Sequence, residues 1–252
     1  MPDSTLSGVY HDNNGAVTLV KTSVNNIIVN GFGMDYSLDS NIKYFFTASF
    51  DSDFTIQHSL HIRKRVNVFE NPAFMKSAVE LNKRIYESGY LWYDSNYAYK
   101  TEALLVKLDI LGQPIDSRTW GDLTRFFQFS TIDTLYHNLL IAGNQRVNSN
   151  IFSSQKFYLA KADTNLNLLW EKTYPQAAQP ETHLTTAIAR DRIYMCGYRY
   201  EPPWFDDGVY DHIIRKTDTA GNLLGTAYLP YKHNLGYPYC NILDDGIHDQ
   251  DW

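Results

Sequence analysis

The chain reads as an all-β protein built as a β-propeller. Three observations predict this. A short pattern ending in glycine occurs four times: Asn26-Ile-Ile-Val-Asn-Gly31, Arg84-Ile-Tyr-Glu-Ser-Gly89, Asn138-Leu-Leu-Ile-Ala-Gly143 and Arg192-Ile-Tyr-Met-Cys-Gly197. A second pattern keeps step with it, Ser49-Phe-Asp51, Lys107-Leu-Asp109, Lys161-Ala-Asp163 and Lys216-Thr-Asp218. Between the copies the sequence is rich in β-branched and aromatic residues, and no stretch holds a convincing helical period. Two patterns recurring at a nearly constant interval mark a repeat architecture. Four short strands per repeat suit a propeller, because a lone sheet cannot cover both of its faces while neighbouring sheets can.

The fourth copy shows the elements of one repeat. Arg192 to Tyr200 is short, β-branched and aromatic, and is strand A. His212 to Thr217 is strand B. Asp218-Thr-Ala-Gly221 is a tight turn, in which Asp bonds its own backbone and Gly supplies a positive φ. Leu223 to Leu229 is strand C, and Tyr237 to Leu243 is strand D. In the third copy the corresponding parts are Leu139–Gly143, Phe157–Lys161, Leu168–Tyr174 and Leu184–Ala189. There Leu166 stands where glycine would sit, so Asn165 is expected to take the left-handed conformation. The first copy is the longest, and Asn71–Leu81 within it is the best candidate for a helical turn.

These elements divide one domain, 1–252, into repeats of about 26–83, 84–137, 138–191 and 192–246. A partial blade at 7–25 precedes them, with Ala16–Lys21 as its strand D, and an acidic tail at 247–252 follows. Continuing the interval beyond Asp218 puts the next glycine position at Trp252. The array is therefore four- or five-bladed and not visibly closed. It is a fragment of a longer propeller, a small ring with an irregular blade, or a ring that a partner chain or a missing segment completes.

The motif most clearly spelled by Tyr158-Leu-Ala-Lys-Ala-Asp-Thr-Asn-Leu-Asn-Leu-Leu-Trp170-Glu-Lys-Thr-Tyr174, and next by Ile213-Ile-Arg-Lys-Thr-Asp-Thr-Ala-Gly-Asn-Leu-Leu224, resembles a repeat of secreted and surface proteins of the Bacteroidetes. The resemblance spans roughly residues 26–243. It implies an exported, propeller-like protein in which the repeated Lys and Asp are structural, and it carries over no catalytic residue. The chain departs from the motif at Ser49, Phe54, Leu166 and Gly225.

Composition narrows the function classes. The net charge of −6 argues against a nucleic-acid surface, which needs a basic face. No apolar run reaches the ~18 residues of a membrane span. The start, Met1-Pro-Asp-Ser-Thr, has neither a basic nor an apolar leader region. The chain is thus either cytoplasmic or one whose leader has been removed, and the resemblance favours the extracytoplasmic reading. Cys196 and Cys240 read first as two buried thiols, with a disulfide as the alternative.

Strand direction alternates, so the A–B and C–D connections share one end of the sheets and the tight turns share the other. The A–B connections Gly33–Asp39, Tyr90–Tyr99, Asn144–Asn150 and Tyr198–Tyr210 read as long loops. They hold the candidate ligand-binding residues Tyr36, Trp92, Tyr93, Asp94, Tyr97, Arg146, Glu201, Trp204, Phe205, Asp206 and Tyr210. Aromatic platforms beside carboxylates suit a sugar, whose apolar face stacks while its hydroxyls hydrogen-bond. The same set suits a protein hot spot. The expected function is an extracytoplasmic binding or scaffold module for a glycan or a protein. The alternative is a glycan-active enzyme, a glycoside hydrolase or lyase, using paired carboxylates at that end; Glu87, Glu201, Asp35 and Asp94 lie in or just after A strands. No metal or cofactor is expected. His58 and His61 fall on opposite faces of a strand, and Asp244, Asp245, Asp249 and Asp251 read as a solvated tail. No phosphate loop, Ser/His/Asp arrangement or CxxC is present.

Overall fold

The computed structural model of the chain describes residues 15–35, 42–64, 70–95, 98–121, 125–146, 155–174, 180–200 and 210–231. Among them there is no helix, and sixteen strands form four antiparallel four-stranded sheets. The first sheet is β1 (Gly15–Lys21), β2 (Ile27–Asp35), β3 (Ile42–Phe50) and β4 (Ile56–Lys64). The second is β5 (Glu70–Leu81), β6 (Arg84–Ser95), β7 (Ala98–Asp109) and β8 (Pro114–Trp120). The third is β9 (Phe126–Leu135), β10 (Asn138–Arg146), β11 (Lys156–Ala162) and β12 (Leu168–Thr173), and the fourth is β13 (Glu181–Ala189), β14 (Arg192–Tyr200), β15 (Tyr210–Asp218) and β16 (Leu223–Tyr231). Each sheet is a meander in chain order.

Strand D opens a sheet instead of closing one. β1, which carries the expected partial blade's strand D, pairs with β2, and β13 pairs with β14. The sheets therefore run D–A–B–C, out of phase with the repeats drawn from the sequence. The expected half blade is the opening strand of the first sheet. The expected strand D at Tyr237–Leu243 lies outside the described residues. The expected helical turn at Asn71–Leu81 is instead strand β5. Its irregular look in sequence has a cause in two register shifts, Glu70/Ala73 and Met75/Ser77, which break simple alternation.

The repeat glycine marks a bulge. Opposite Gly31, Gly89 and Gly197 the register of the opening strand slips, between Ala16 and Thr18, Met75 and Ser77, and His183 and Thr185. A β-bulge kinks the strand towards its neighbour. At Gly197 a Cβ would lie 2.0 Å from the Thr182 carbonyl oxygen and 2.6 Å from Phe157 Cζ, so no side chain fits.

The repeat aspartate builds one turn four times. Oδ1 of Asp51, Asp109, Asp163 and Asp218 accepts from the backbone N–H two and four residues on, at 2.8–2.9 Å. The position three residues after each aspartate has positive φ: Phe54, Gly112, Leu166 and Gly221. In the third copy the left-handed residue is thus Leu166 itself, not Asn165, because the turn's two backbone bonds fix the geometry whatever side chain is present. Asn82/Lys83, Tyr136/His137 and Arg190/Asp191 have positive φ in pairs and close the β5–β6, β9–β10 and β13–β14 hairpins as type I′ turns. The repeat lysines also serve the fold: Lys107 and Lys216 lie 5.9 Å from the rings of their cross-strand partners Tyr86 and Tyr194.

The chain forms two compact units, Met1–Ile132 and Asp133–Trp252. In the first, Ile28 of the first sheet packs on Ile85, Val106 and Leu108 of the second. In the second, Leu140, Ala142, Phe157 and Leu159 of the third sheet pack on Ile193, Met195 and Ile213 of the fourth. Ile28 and Leu140 each stand three residues before a repeat glycine, so the two units repeat one sheet-on-sheet packing. The closing strands lie outside these cores: β8 and β16 are exposed almost throughout.

Candidate functional site

The two ends of each sheet differ. At one end every described connection is a tight hairpin or an Asp turn. At the other, β2–β3, β6–β7, β10–β11 and β14–β15 are joined by residues 36–41, 96–97, 147–155 and 201–209, which differ in length from sheet to sheet.

Several candidate residues lie on strands rather than on loops. Trp92, Tyr93 and Asp94 belong to β6, which pairs with β7 as far as Ser95↔Ala98. The long loop expected at Tyr90–Tyr99 is therefore a hairpin joined through residues 96–97. Extended pairing keeps backbone polar groups satisfied along this aromatic run, and the aromatic residues favour it. Arg146 ends β10 and is buried, as are Asn144 and Gln145 beside it, so this part of the expected 144–150 loop is strand too. Tyr210 opens β15. Tyr36, Tyr97, Glu201, Trp204, Phe205 and Asp206 lie outside the described residues. Of the carboxylates considered for catalysis, Glu87 is buried in β6.

The fourth sheet holds a polar cluster, running from its middle towards this end, that the sequence reading did not single out. Arg215 on β15 is 2% exposed and Glu181 on β13 is 0% exposed. Arg215 Nη2 donates to both Glu181 oxygens, at 2.9 and 2.8 Å. The Arg215 guanidinium also lies 5.1 Å from the Phe157 ring centroid, which partly replaces lost hydration. In register with Glu181 stand Arg199 and then Asp211. Arg199 donates from Nε and Nη2 to Asp211 Oδ2, at 2.9 and 2.5 Å, and lies 4.7 Å over the Tyr228 ring. The four charges cancel.

His183 joins this cluster to the third sheet. Its backbone N–H donates to Asn144 Oδ1 at 2.8 Å, and its ring meets Phe157 edge-on at 5.4 Å. Glu181 N–H likewise donates to the Gln155 carbonyl, at 3.1 Å. Burial pushes the His183 imidazole down to about 3, against a smaller opposing effect of the Thr185 backbone, so the ring is neutral at ordinary pH.

No protein-family model and no curated protein matches the chain. Its sequence signal therefore has to come from within, by laying the repeats on one another. Arg215 stands three residues before its repeat aspartate, where the other copies have Ala48, Val106 and Ala160, all buried. An arginine at a small apolar core position was the visible sign of the cluster. Its chemistry is closed: both Glu181 oxygens accept from Arg215, and Asp211 accepts from Arg199. The cluster is two ion pairs, Arg215–Glu181 and Arg199–Asp211, set within the fourth sheet. No helix among the described residues is long and apolar enough to cross a membrane.

Proposed function

We propose that the chain is an extracytoplasmic binding or scaffold module, a β-propeller-like array that recognises a glycan or a protein at the end of its sheets opposite the Asp turns. The observation that carries this reading is the contrast between the ends. Four copies of one turn and three type I′ hairpins hold the first end fixed, while the connections at the second differ from sheet to sheet. A rigid scaffold that varies only the connections at one end is how binding surfaces are built on repeat folds. The aromatic residues of that end, among them Trp92 and Trp204, are the anchors. The propeller form is supported by the like stacking of sheets in the two units and by the exposed closing strands. The extracytoplasmic location is supported by Cys196, which is disulfide-bonded, since disulfides persist in oxidising compartments.

A glycan array probed with the purified chain tests the ligand class. Selective binding to one sugar family, removed by Trp92→Ala with Trp204→Ala, is the expected result. Binding to no sugar refutes the glycan ligand and leaves the protein scaffold. Binding that survives both substitutions refutes the placement of the site.

A further inference from the structure

The closing strands β4, β8, β12 and β16 each pair on one side only among the described residues. An edge strand offers its open N–H and C=O groups to any other strand, and charged side chains commonly guard it. β4 carries Arg63 and Lys64, β8 carries Asp116 and Arg118, and β12 carries Glu171 and Lys172. β16, Leu-Leu-Gly-Thr-Ala-Tyr-Leu-Pro-Tyr, carries no charge. All four closing pairs have a register shift beside the Asp turn, so charge is what sets β16 apart.

The unguarded edge is open and apolar. Leu223 to Leu229 are exposed throughout, and Leu223, Leu224, Tyr228 and Leu229 are 40–51% exposed. A Cβ added at Gly225 would meet nothing within 4 Å. The strand is also symmetric in size about Thr226. Gly225 and Ala227 on either side are small, while Leu224 and Tyr228, then Leu223 and Leu229, are large. Pro230, which lacks an N–H, lies outside this symmetric stretch.

We propose that β16 pairs antiparallel with β16 of a second copy of the chain, about a two-fold axis at Thr226. In that register Thr226 stands opposite Thr226, Gly225 opposite Ala227, and Leu224 opposite Tyr228. Thr–Thr and apolar pairs of this kind favour an antiparallel ladder, and no like charges meet across it. A two-fold contact requires one patch to be complementary to itself, which the size symmetry of β16 supplies. Any of the other three closing strands would bring its own charges to such a contact. A single ladder is a small interface, in the weak class below ~1,200 Å², so the pairing depends on concentration.

Two measurements on the full chain test this. Light scattering should show the mass rising towards that of a dimer between about 1 μM and about 1 mM. Thr226→Lys sets two ammonium groups across the axis and should weaken the association at least about tenfold, while circular dichroism keeps its β signature. A native chain that stays monomeric over the whole span overturns the proposal. So does a variant that associates as well as the native chain, because the contact then lies elsewhere. Hydrogen exchange of the native chain is the second measurement. Amides of β16 should exchange about tenfold more slowly at the upper concentration than at the lower. Unchanged exchange there alongside a rising mass also overturns the proposal, and this result stands on its own if the variant does not fold.

Discussion

The two units stack their sheets alike but fill one position differently. In the first unit Val106 sits between the sheets, in an apolar cluster with Ile28, Ile85 and Leu108. In the second, Arg215 takes the equivalent place and is held by Glu181. A repeat can thus keep its backbone plan while exchanging an apolar contact for an ionic one. The exchange carries risk, because a buried ion pair is stable only while both partners are present. The fourth sheet also meets the third through polar contacts. Arg215 stacks on Phe157, while His183 and Glu181 each hydrogen-bond across to the third sheet.

The largest expected effect separates the units directly. Arg215→Ala should destabilise the chain by about 3–5 kcal/mol in denaturant unfolding, since it strands a buried carboxylate. Importing the first unit's residues, Arg215→Val as at Val106 and Glu181→Ala as at Ala73, which pairs with Leu91 as Glu181 does with Arg199, should restore most of that loss. If the double variant is no more stable than the single one, the two positions are not equivalent. Next comes the bulge. Gly197→Ala drives a methyl into the Thr182 carbonyl and should cost about 3 kcal/mol, the upper range for overpacking. A loss under about 0.5 kcal/mol would show that the strands part easily there.

Acid should act on the second unit through His183. Its folded value of about 3 lies below the ordinary value near 6.5, so the unfolded chain binds the proton first. Stability is full above about pH 6.5 and falls by up to about 1.4 kcal/mol per pH unit as the pH drops towards 3. His183→Gln should flatten this slope, and a slope unchanged in the variant would contradict the assignment. Asp218 adds a second acid-sensitive contribution. The Asn222 backbone, then its side chain, holds the carboxyl below its usual range, so its contribution is present above the ordinary carboxylate value and lost as pH falls through the lowered one.

The smallest effects lie in the Asp turns. Asp163→Ala removes the acceptor for Asn165 and Asn167 N–H and should cost about 1 kcal/mol, as at helix caps built the same way. Phe54→Gly should stabilise by about 1 kcal/mol, because Phe54 is 72% exposed and held at φ 59°. Leu166→Gly should not repeat this gain, since Leu166 is buried.

The strands and Asp turns were legible because they are local and fourfold. Period-2 patterning and an Asp that bonds its own backbone leave the same mark in every copy. The phase of the sheets was not legible. Whether strand D closes one sheet or opens the next depends on pairing across the short hairpins, and either choice satisfies the repeat. The hairpin pairs carried little sequence warning, since none holds glycine and Tyr136 and Arg190 are not usual residues for positive φ. Of the aromatic candidates read from the sequence, Trp92 and Tyr93 fall on β6 and Tyr210 on β15. The buried cluster was not legible, because Glu181 on β13 and Arg215 on β15 are 34 residues apart and meet only once the fourth sheet has formed. Within the cluster only Arg215 broke the repeat visibly, at a position held by Ala48, Val106 and Ala160 in the other copies.

The central claim is that one end of the sheets is scaffold and the other binds. Paired variants on the second sheet test it most directly, with Trp92→Ala near the β6–β7 hairpin and Leu111→Ser in the Asp109 turn, both assayed on the glycan array. The account predicts that Trp92→Ala abolishes the signal while Leu111→Ser leaves it at the wild-type level. Loss with Leu111→Ser and retention with Trp92→Ala would contradict it.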